Sequence, residues 1–164
     1  RAEKSDELRQ VAKETIVEVY TPFQQVKEFC RFAKKYSSDF HKAPLSQYLD
    51  ADLHDVWKIV QKKYLTEQGE QIVRPYYFYQ VGGDCDDQCI FFTSLFISIG
   101  INPHNIFICE AKEFADDEHY CHIFCAIADP RGGVIWLDAL PESEFNRLDY
   151  PQDCVKITRM SDYL

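Results

Sequence analysis

The residues with the most chemical potential lie in one short stretch, GGDCDDQC at residues 82–89. It places Cys85 among three carboxylates, Asp84, Asp86 and Asp87. Carboxylates repel a thiolate, so this cysteine can act as a nucleophile only if a positive field offsets the repulsion. The neighbouring elements therefore have to supply that field.

A helix start is the first source of such a field. The apolar run IFFTSLFISIG at residues 90–100 predicts a buried helix that begins near Cys85 and ends at Gly100. Unpaired N–H groups at a helix start lower the pKa of a thiol there. Asp86 and Asp87 fall in the first turn, where carboxylates stabilise the helix itself. We therefore expect the aspartates to be helix-start residues, with a nearby imidazolium completing the offset.

Two histidines on one predicted strand could supply the imidazole. The segment HYCHIFCAIA at 119–128 alternates in polarity, so His119 and His122 point to opposite faces and only one can meet the cysteine helix. A hairpin turn at 129–133 would bring Asp138 back beside His122. A carboxylate there can orient the imidazole, which completes a nucleophile, a base and an orienting group.

These motifs together resemble the transglutaminase-like superfamily, whose fold is similar to that of papain-like cysteine proteases. The shared pattern is GDCDD opening an apolar helix that ends in glycine, then H-x-F on a strand, then W-x-D about sixteen residues after the histidine. The GDCDD variant resembles microbial and phage-associated members. The match is densest over residues 74–140 and weaker back to residue 52. Phe124 and Ala139 stand where the family often has tryptophan and proline.

The resemblance implies roles for individual residues. Cys85 would be the nucleophile, His122 the general base and acid, and Asp138 the orienting carboxylate. The implied reaction is acyl transfer without a cofactor, and we expect a protease or amidase that acts on a protein or peptide substrate. The backbone N–H of Cys85 would be one oxyanion donor, with a second from Gln80 or Tyr79 in the loop before it.

Two other functions remain alternatives. The thioester could meet an amine, which would make the chain a protein-glutamine crosslinking transferase. The chain could also be an inactive structural or binding module of a larger assembly that kept the fold. The intact set Cys85, His122 and Asp138 favours an enzyme.

A metal site is the main alternative interpretation of these cysteine and histidine residues. Four thiols and an imidazole occur at spacings that zinc tolerates, in Cys85-x3-Cys89 and Cys121-His122-x2-Cys125. On a strand, however, Cys121 and Cys125 share one face while His122 points to the other. The acids at 116–118 have no EF-hand spacing for calcium. We therefore predict no metal.

Helices precede strands along the chain. Helical periodicity predicts helices at 6–20, from Pro22 onwards and at 52–64, with a polar loop at 37–52 and irregular chain at 65–84. Period-two segments follow, and we predict strands at 105–111, 119–128, 134–139 and 154–158. This order predicts an α+β fold, in which the N-terminal helices and a central cysteine-bearing helix pack on an antiparallel sheet.

Composition bounds the remaining possibilities. The 164 residues are 46% apolar, enough for one compact unit, which we divide into an N-terminal helical extension (1–50) and a catalytic core (51–164). The extension would cap the site or dock to a larger assembly. A net charge of −9 without dense lysine or arginine clusters argues against nucleic acid. No apolar run approaches the roughly 20 residues of a membrane span.

The cysteines indicate the compartment. There are seven, an odd number, and most lie in apolar runs, so we predict free thiols in a reducing environment. That favours a cytoplasmic or virion-associated protein. No signal peptide is visible in the sequence.

Overall fold

The computed structural model describes residues 13–15, 22–66 and 71–164. Its α-helices within these ranges are α1 (Pro22–Tyr36), α2 (Leu53–Lys62), α3 (Pro75–Val81) and α4 (Cys85–Ser98). Its strands are β1 (Lys13–Thr15), β2 (Gln71–Val73), β3 (Ile106–Ala111), β4 (His122–Ala128), β5 (Val134–Leu137) and β6 (Val155–Arg159). The short strands β1 and β2 lie among the helices, but the four strands β3–β6 of the main antiparallel sheet all follow α4, so the fold class is α+β.

The main sheet has four strands in the order β5-β4-β3-β6, and every neighbouring pair is antiparallel. Its two faces bury different side chains, because successive residues of a strand point to opposite sides. Ile108 and Cys125 face the core that contains α4, whereas Cys109 and Phe124 face a smaller second cluster. Loop residues Leu148 and Tyr150 cover that second cluster.

Helix α4 is the central element of the core. Every residue from Asp87 to Phe96 is buried, as the nearly uniform apolar sequence predicts. The helix ends before Gly100, which adopts a φ of 86°. Helix α1 packs against α4 through Val26, Cys30 and Ala33, so this part of the N-terminal extension belongs to the same core. The predicted helix starts at Pro22 and Cys85 are confirmed.

Three sequence-based expectations differ from the structure. Lys13–Thr15, within the helix predicted at 6–20, is a strand paired with β2, and the rest of that prediction lies outside the described residues. The loop predicted at 37–52 contains two 3-10 helices, Ser37–His41 and Leu45–Tyr48. The irregular region predicted at 65–84 contains β2 and α3.

The second difference has a clear packing reason. Phe40, Leu45 and Tyr48 are buried, and the Phe40 and Tyr48 rings pack edge-on against Phe91 of α4 at centroid distances of 5.0 and 5.2 Å. Aromatic burial in short helical turns carries no strong periodicity, so the polar residues between them dominated the prediction.

All seven cysteines are described and all are free, as predicted. Five of them are buried. Within the described chain, no helix combines the length and the apolar character needed to cross a membrane.

Candidate active site

The three aspartates around Cys85 have distinct roles at the start of α4. Asp84 is the N-cap, and its carboxylate accepts a hydrogen bond from the Asp87 N–H at 3.4 Å. The Asp87 carboxylate in turn accepts from the Asp84 N–H at 3.0 Å. This reciprocal capping box satisfies backbone donors that a helix start leaves unpaired. Two of the three carboxylates therefore hold the helix start, as the sequence predicts.

Asp87 also fixes the segment that precedes the cysteine helix. Its Oδ1 accepts a hydrogen bond of 2.6 Å from the backbone N–H of Val73 in β2. Burial and the charge of Asp84 raise its pKa well above the usual range of an aspartate. The side chain thus links β2 to the first turn of α4 from a fully buried position.

The two glycines before Asp84 allow this close packing. Gly82 has a φ of 73°, a left-handed conformation that favours glycine. Gly83 lies so close to the Asp87 carboxylate that an added Cβ would overlap it. The backbone N–H of Gly83 donates to the Lys63 carbonyl at 3.0 Å, which ties this turn to the end of α2. Steric constraints therefore explain why both positions of the motif are glycine.

The thiol of Cys85 is half-buried, and its environment favours the protonated form. Burial raises its pKa above the usual range, and Asp86 raises it further. The Asp86 Oδ1 accepts a hydrogen bond from the Cys85 sulfur at 3.6 Å. A contribution in the other direction comes from the backbone N–H of Ile123, which favours the thiolate. The expectation that the helix start lowers this pKa is therefore wrong for the isolated protein.

The predicted partner pair is formed on the neighbouring strands. Nε2 of His122, the first residue of β4, lies 2.8 Å from Oδ1 of Asp138, just beyond the end of β5. The side chains are 8% and 2% exposed. The hairpin turn at 129–133 brings the strands together, with Asp129 N–H donating to the Gly133 carbonyl. His119 is exposed and precedes the strand.

Aromatic rings and backbone hydrogen bonds fix this pair. The His122 ring stacks on Phe124 at 5.4 Å between centroids, and Tyr150 packs beside it at 5.8 Å. The Trp57 indole N–H donates to the Asp138 carbonyl at 2.9 Å. The buried Gln88 amide donates to the next carbonyl, that of Ala139, at 2.9 Å. Helices α2 and α4 therefore both hold the chain that carries Asp138.

Cys85 lies near the start of β4, beside the residue that follows His122. The thiol of Cys85 faces the backbone N–H of Ile123, the residue that follows His122. Within the described chain, no hydrogen bond joins the Cys85 sulfur to the His122 ring. The sulfur is instead bonded to Asp86, while Nε2 of the ring is bonded to Asp138. The thiol of Cys85 and the pair of His122 and Asp138 therefore lie at the same end of the sheet, but each makes its own hydrogen bond.

The two oxyanion candidates lie elsewhere. Tyr79 and Gln80 belong to α3 rather than to a loop. The Tyr79 ring packs edge-on against Tyr48, and its carbonyl accepts a hydrogen bond from Lys63 Nζ at 2.7 Å. Gln80 is exposed. Neither lines the cavity beside the cysteine helix. The backbone N–H of Cys85 stays the other candidate donor.

A cavity of about 220 Å³ adjoins the site. It is lined by Gln25, Phe29, Asp86, Glu110, Tyr120, Cys121, His122 and Ile123. Glu110 is a functional candidate that the sequence analysis missed, although a single acid in the apolar strand IFICEA was a usable signal. Tyr150 was missed as well, and its position in a loop gave no signal.

The described residues contain no group of three or more histidine, cysteine, aspartate or glutamate side chains placed to hold a metal ion. Cys89 and Cys125 of the zinc alternative are buried in the apolar core, and Cys121 is exposed. Burial raises the pKa values of Cys89 and Cys125 well above the usual thiol range.

Comparison with models of known protein families, with curated proteins and with solved structures finds no match to this chain.

Proposed function

We propose that this chain is a cysteine hydrolase, a protease or amidase, with a transglutaminase-like variant of the papain-like fold. The observation that carries the proposal is the 2.8 Å hydrogen bond between His122 and Asp138, at the end of the sheet that meets the start of α4. A buried imidazole braced by a buried carboxylate near a thiol at a helix start is the arrangement that nucleophilic catalysis by cysteine requires.

Proton transfer begins the proposed reaction. Asp138 holds Nε2 of His122, so Nδ1 is the ring atom that accepts the thiol proton from Cys85. The raised pKa of Cys85 makes this base necessary, because the thiol does not ionise by itself near neutral pH. For this transfer the sulfur leaves its contact with Asp86 and turns towards the His122 ring.

Acyl transfer follows. The Cys85 sulfur attacks the carbonyl carbon of an amide, and the backbone N–H of Cys85 stabilises the negative oxygen. The C–N bond then breaks as His122 returns its proton to the leaving amine, which leaves a thioester on Cys85. Water, deprotonated by His122, attacks the thioester, releases the carboxylic acid and regenerates the thiol. The substrate class is a protein or peptide.

A second candidate function is an inactive binding module. One contact favours it: the hydrogen bond of 3.6 Å that the Cys85 sulfur donates to Asp86 Oδ1. In that case the thiol would stay protonated, and the buried pair of His122 and Asp138 would serve only the fold. The two candidates differ in how fast Cys85 reacts at mildly acidic pH.

Alkylation by iodoacetamide at pH 6, followed by peptide mapping, distinguishes them. Mapping is needed because Cys121 is exposed and will also react. If the proposal holds, Cys85 of the wild type reacts about 100-fold faster than in His122→Gln, which keeps an amide donor for Asp138. The matched control is His119→Gln, an exposed residue outside the pair, and it should react like the wild type.

Slow alkylation of Cys85 in the wild type, unchanged by His122→Gln, would establish the inactive module instead. Where labelling supports the proposal, mass spectrometry of a glutamine-containing protein incubated with a small amine separates the two enzymes. Peptide cleavage or deamidation identifies the hydrolase, and amine incorporation identifies the crosslinking transferase.

A further inference from the structure

The cavity beside Cys85 has a distinctive composition. Among the described residues, its lining includes two carboxylates, Asp86 and Glu110, and no lysine or arginine. Two aromatic residues, Phe29 and Tyr120, line it as well. Its volume of about 220 Å³ is below the roughly 300–1,000 Å³ of pockets that hold drug-sized ligands. The space therefore suits one side chain or one small molecule.

Glu110 is the unusual member of this lining. It lies on β3 opposite Ile123 of β4, on the sheet face that α4 covers, and it is 4% exposed. Its Oε1 is buried and has no hydrogen-bond partner in the structure. Buried carboxylate oxygens are nearly always paired, so an unpartnered one in a cavity wall indicates a missing donor.

The residues that the structure describes do not supply that donor. Lys156 lies opposite Glu110 on β6, but no ion pair joins the two in the described part of the chain. Burial is the larger influence on Glu110 and raises its pKa, while the charge of Lys156 lowers it. The oxygen is therefore left for a group that enters the cavity from outside.

We propose that this cavity is a subsite for a primary ammonium group, held by Glu110. A compact ammonium has three donors and no acceptor, which matches a carboxylate oxygen without a partner. The aromatic rings of Phe29 and Tyr120 suit the alkyl stem behind such a group, or the cation itself. The proposal rests on the proposed function for its meaning, since it places a cationic group of the substrate beside Cys85.

Two substrates carry this chemistry. A lysine side chain of a peptide would place the subsite on the acyl side of the reaction. A free amine would place it on the acceptor side, where the ammonium would first give a proton to Glu110, because only the neutral amine can attack the thioester. In both cases the cavity adjoins the thiol, because Asp86 lines the cavity and is bonded to the Cys85 sulfur.

The test uses binding, so that it does not depend on catalysis. We would measure the affinities of n-butylammonium and of neutral n-butanol for the Cys85→Ala protein by NMR titration. We expect the ammonium to bind at least tenfold more tightly than the alcohol. Glu110→Gln, which keeps the side-chain shape, should remove that preference. Glu113→Gln is the matched control, because it removes the same charge at an exposed position just after β3 and should keep it.

Equal affinities for the two probes in the Cys85→Ala protein would overturn the proposal, as would a preference that survives Glu110→Gln. If Glu110→Gln fails to fold, as judged by circular dichroism, the comparison of the two probes on Cys85→Ala and on its Glu113→Gln derivative decides alone. Nα-acetyl-lysine methylamide then identifies the source: tighter binding than butylammonium indicates a peptide lysine, and weaker binding a free amine.

This outcome is separable from that of the proposed function. Slow alkylation of Cys85 together with a clear preference for the ammonium would support the subsite and contradict the proposed enzyme. Fast, His122-dependent alkylation without that preference would support the enzyme and contradict the subsite.

Discussion

His122 Nε2 and Asp138 Oδ1 lie 2.8 Å apart, and both side chains are almost completely buried at the end of the main sheet. A buried carboxylate in this position fixes which ring nitrogen carries the proton and stabilises the imidazolium that forms when His122 accepts a proton. In the proposed mechanism, the reactivity of Cys85 therefore depends on this pair.

The first prediction follows from this pair. Asp138→Asn should lower the rate of Cys85 alkylation at pH 6 by about 100-fold, because an amide neither stabilises the imidazolium nor fixes the tautomer. The rate is measured by mass spectrometry, and circular dichroism checks the fold. Glu142→Gln, an exposed charge removal in the following loop, is the control and should leave the rate unchanged. An Asp138→Asn protein that reacts like the wild type would contradict a role for the carboxylate.

The second prediction concerns Asp86. Burial is the larger cause of the raised pKa of the Cys85 thiol, and the charge of Asp86 raises that pKa further. His122→Gln removes the base, so the pH dependence of alkylation then reports ionisation of the thiol alone. On that background, Asp86→Asn should move the midpoint to lower pH, because a repelling charge is lost. Asp116→Asn, which removes the same charge at an exposed position, should not move it. A midpoint that stays in place would mean that Asp86 does not act on the thiol electrostatically.

The sequence predicts the central part of this site because its signals are local. The capping residues, the apolar run of α4 and the alternation of β4 each determine one element, and the short hairpin fixes Asp138 beside His122. The pKa of Cys85 could not be predicted in this way. It depends on how deeply the thiol is buried and on where the Asp86 carboxylate points, and both are set by tertiary packing.

The distinction between local sequence signals and tertiary packing also explains the wrong assignment of Tyr79 and Gln80 and the omission of Glu110. Tyr79 and Gln80 were assigned to a loop because Pro75 and Gly82 bracket a short segment, yet Pro75 is the first residue of a helix. Glu110 acquires its significance only from the cavity that α1 and α4 enclose around it. Contacts between elements far apart in the chain leave no periodic signal in the sequence.

The third prediction tests the capping box. Asp87 accepts hydrogen bonds from the Val73 and Asp84 N–H groups, and Asp87→Asn replaces one of its two acceptor oxygens with a donor. We expect the free energy of unfolding to fall by about 2 kcal/mol, the scale of a buried polar group left unpaired. Urea denaturation followed by circular dichroism measures this change.

Asp55→Asn is a close control for that measurement. Asp55 occupies the same third position of α2, but it is exposed and lies outside any capping box. Its substitution removes only a favourable charge near a helix start, and we expect a loss below about 1 kcal/mol. Equal losses in the two variants would show that the buried bonds of Asp87 contribute nothing beyond its charge.

The fourth prediction uses the pH dependence of stability to test Glu110. Burial raises the pKa of this carboxyl in the folded protein, so the folded state binds its proton more tightly than the unfolded state does. The stability that Glu110 contributes is therefore fully present below the usual glutamate pKa of about 4.3 and is lost as the pH rises through the folded value. Glu110→Gln stays neutral throughout and avoids that loss.

Relative to the wild type, Glu110→Gln should therefore gain stability between pH 4 and pH 8, measured by urea denaturation at each pH. Glu113→Gln is exposed and should show no such trend. A relative stability of Glu110→Gln that falls with pH would show that Glu110 is stabilised as a carboxylate by its surroundings. If an external cation pairs with the Glu110 carboxylate, the charge of Glu110 destabilises the protein only while that cation is absent. Adding n-butylammonium at pH 8 should therefore restore part of the stability that the wild type loses between pH 4 and pH 8.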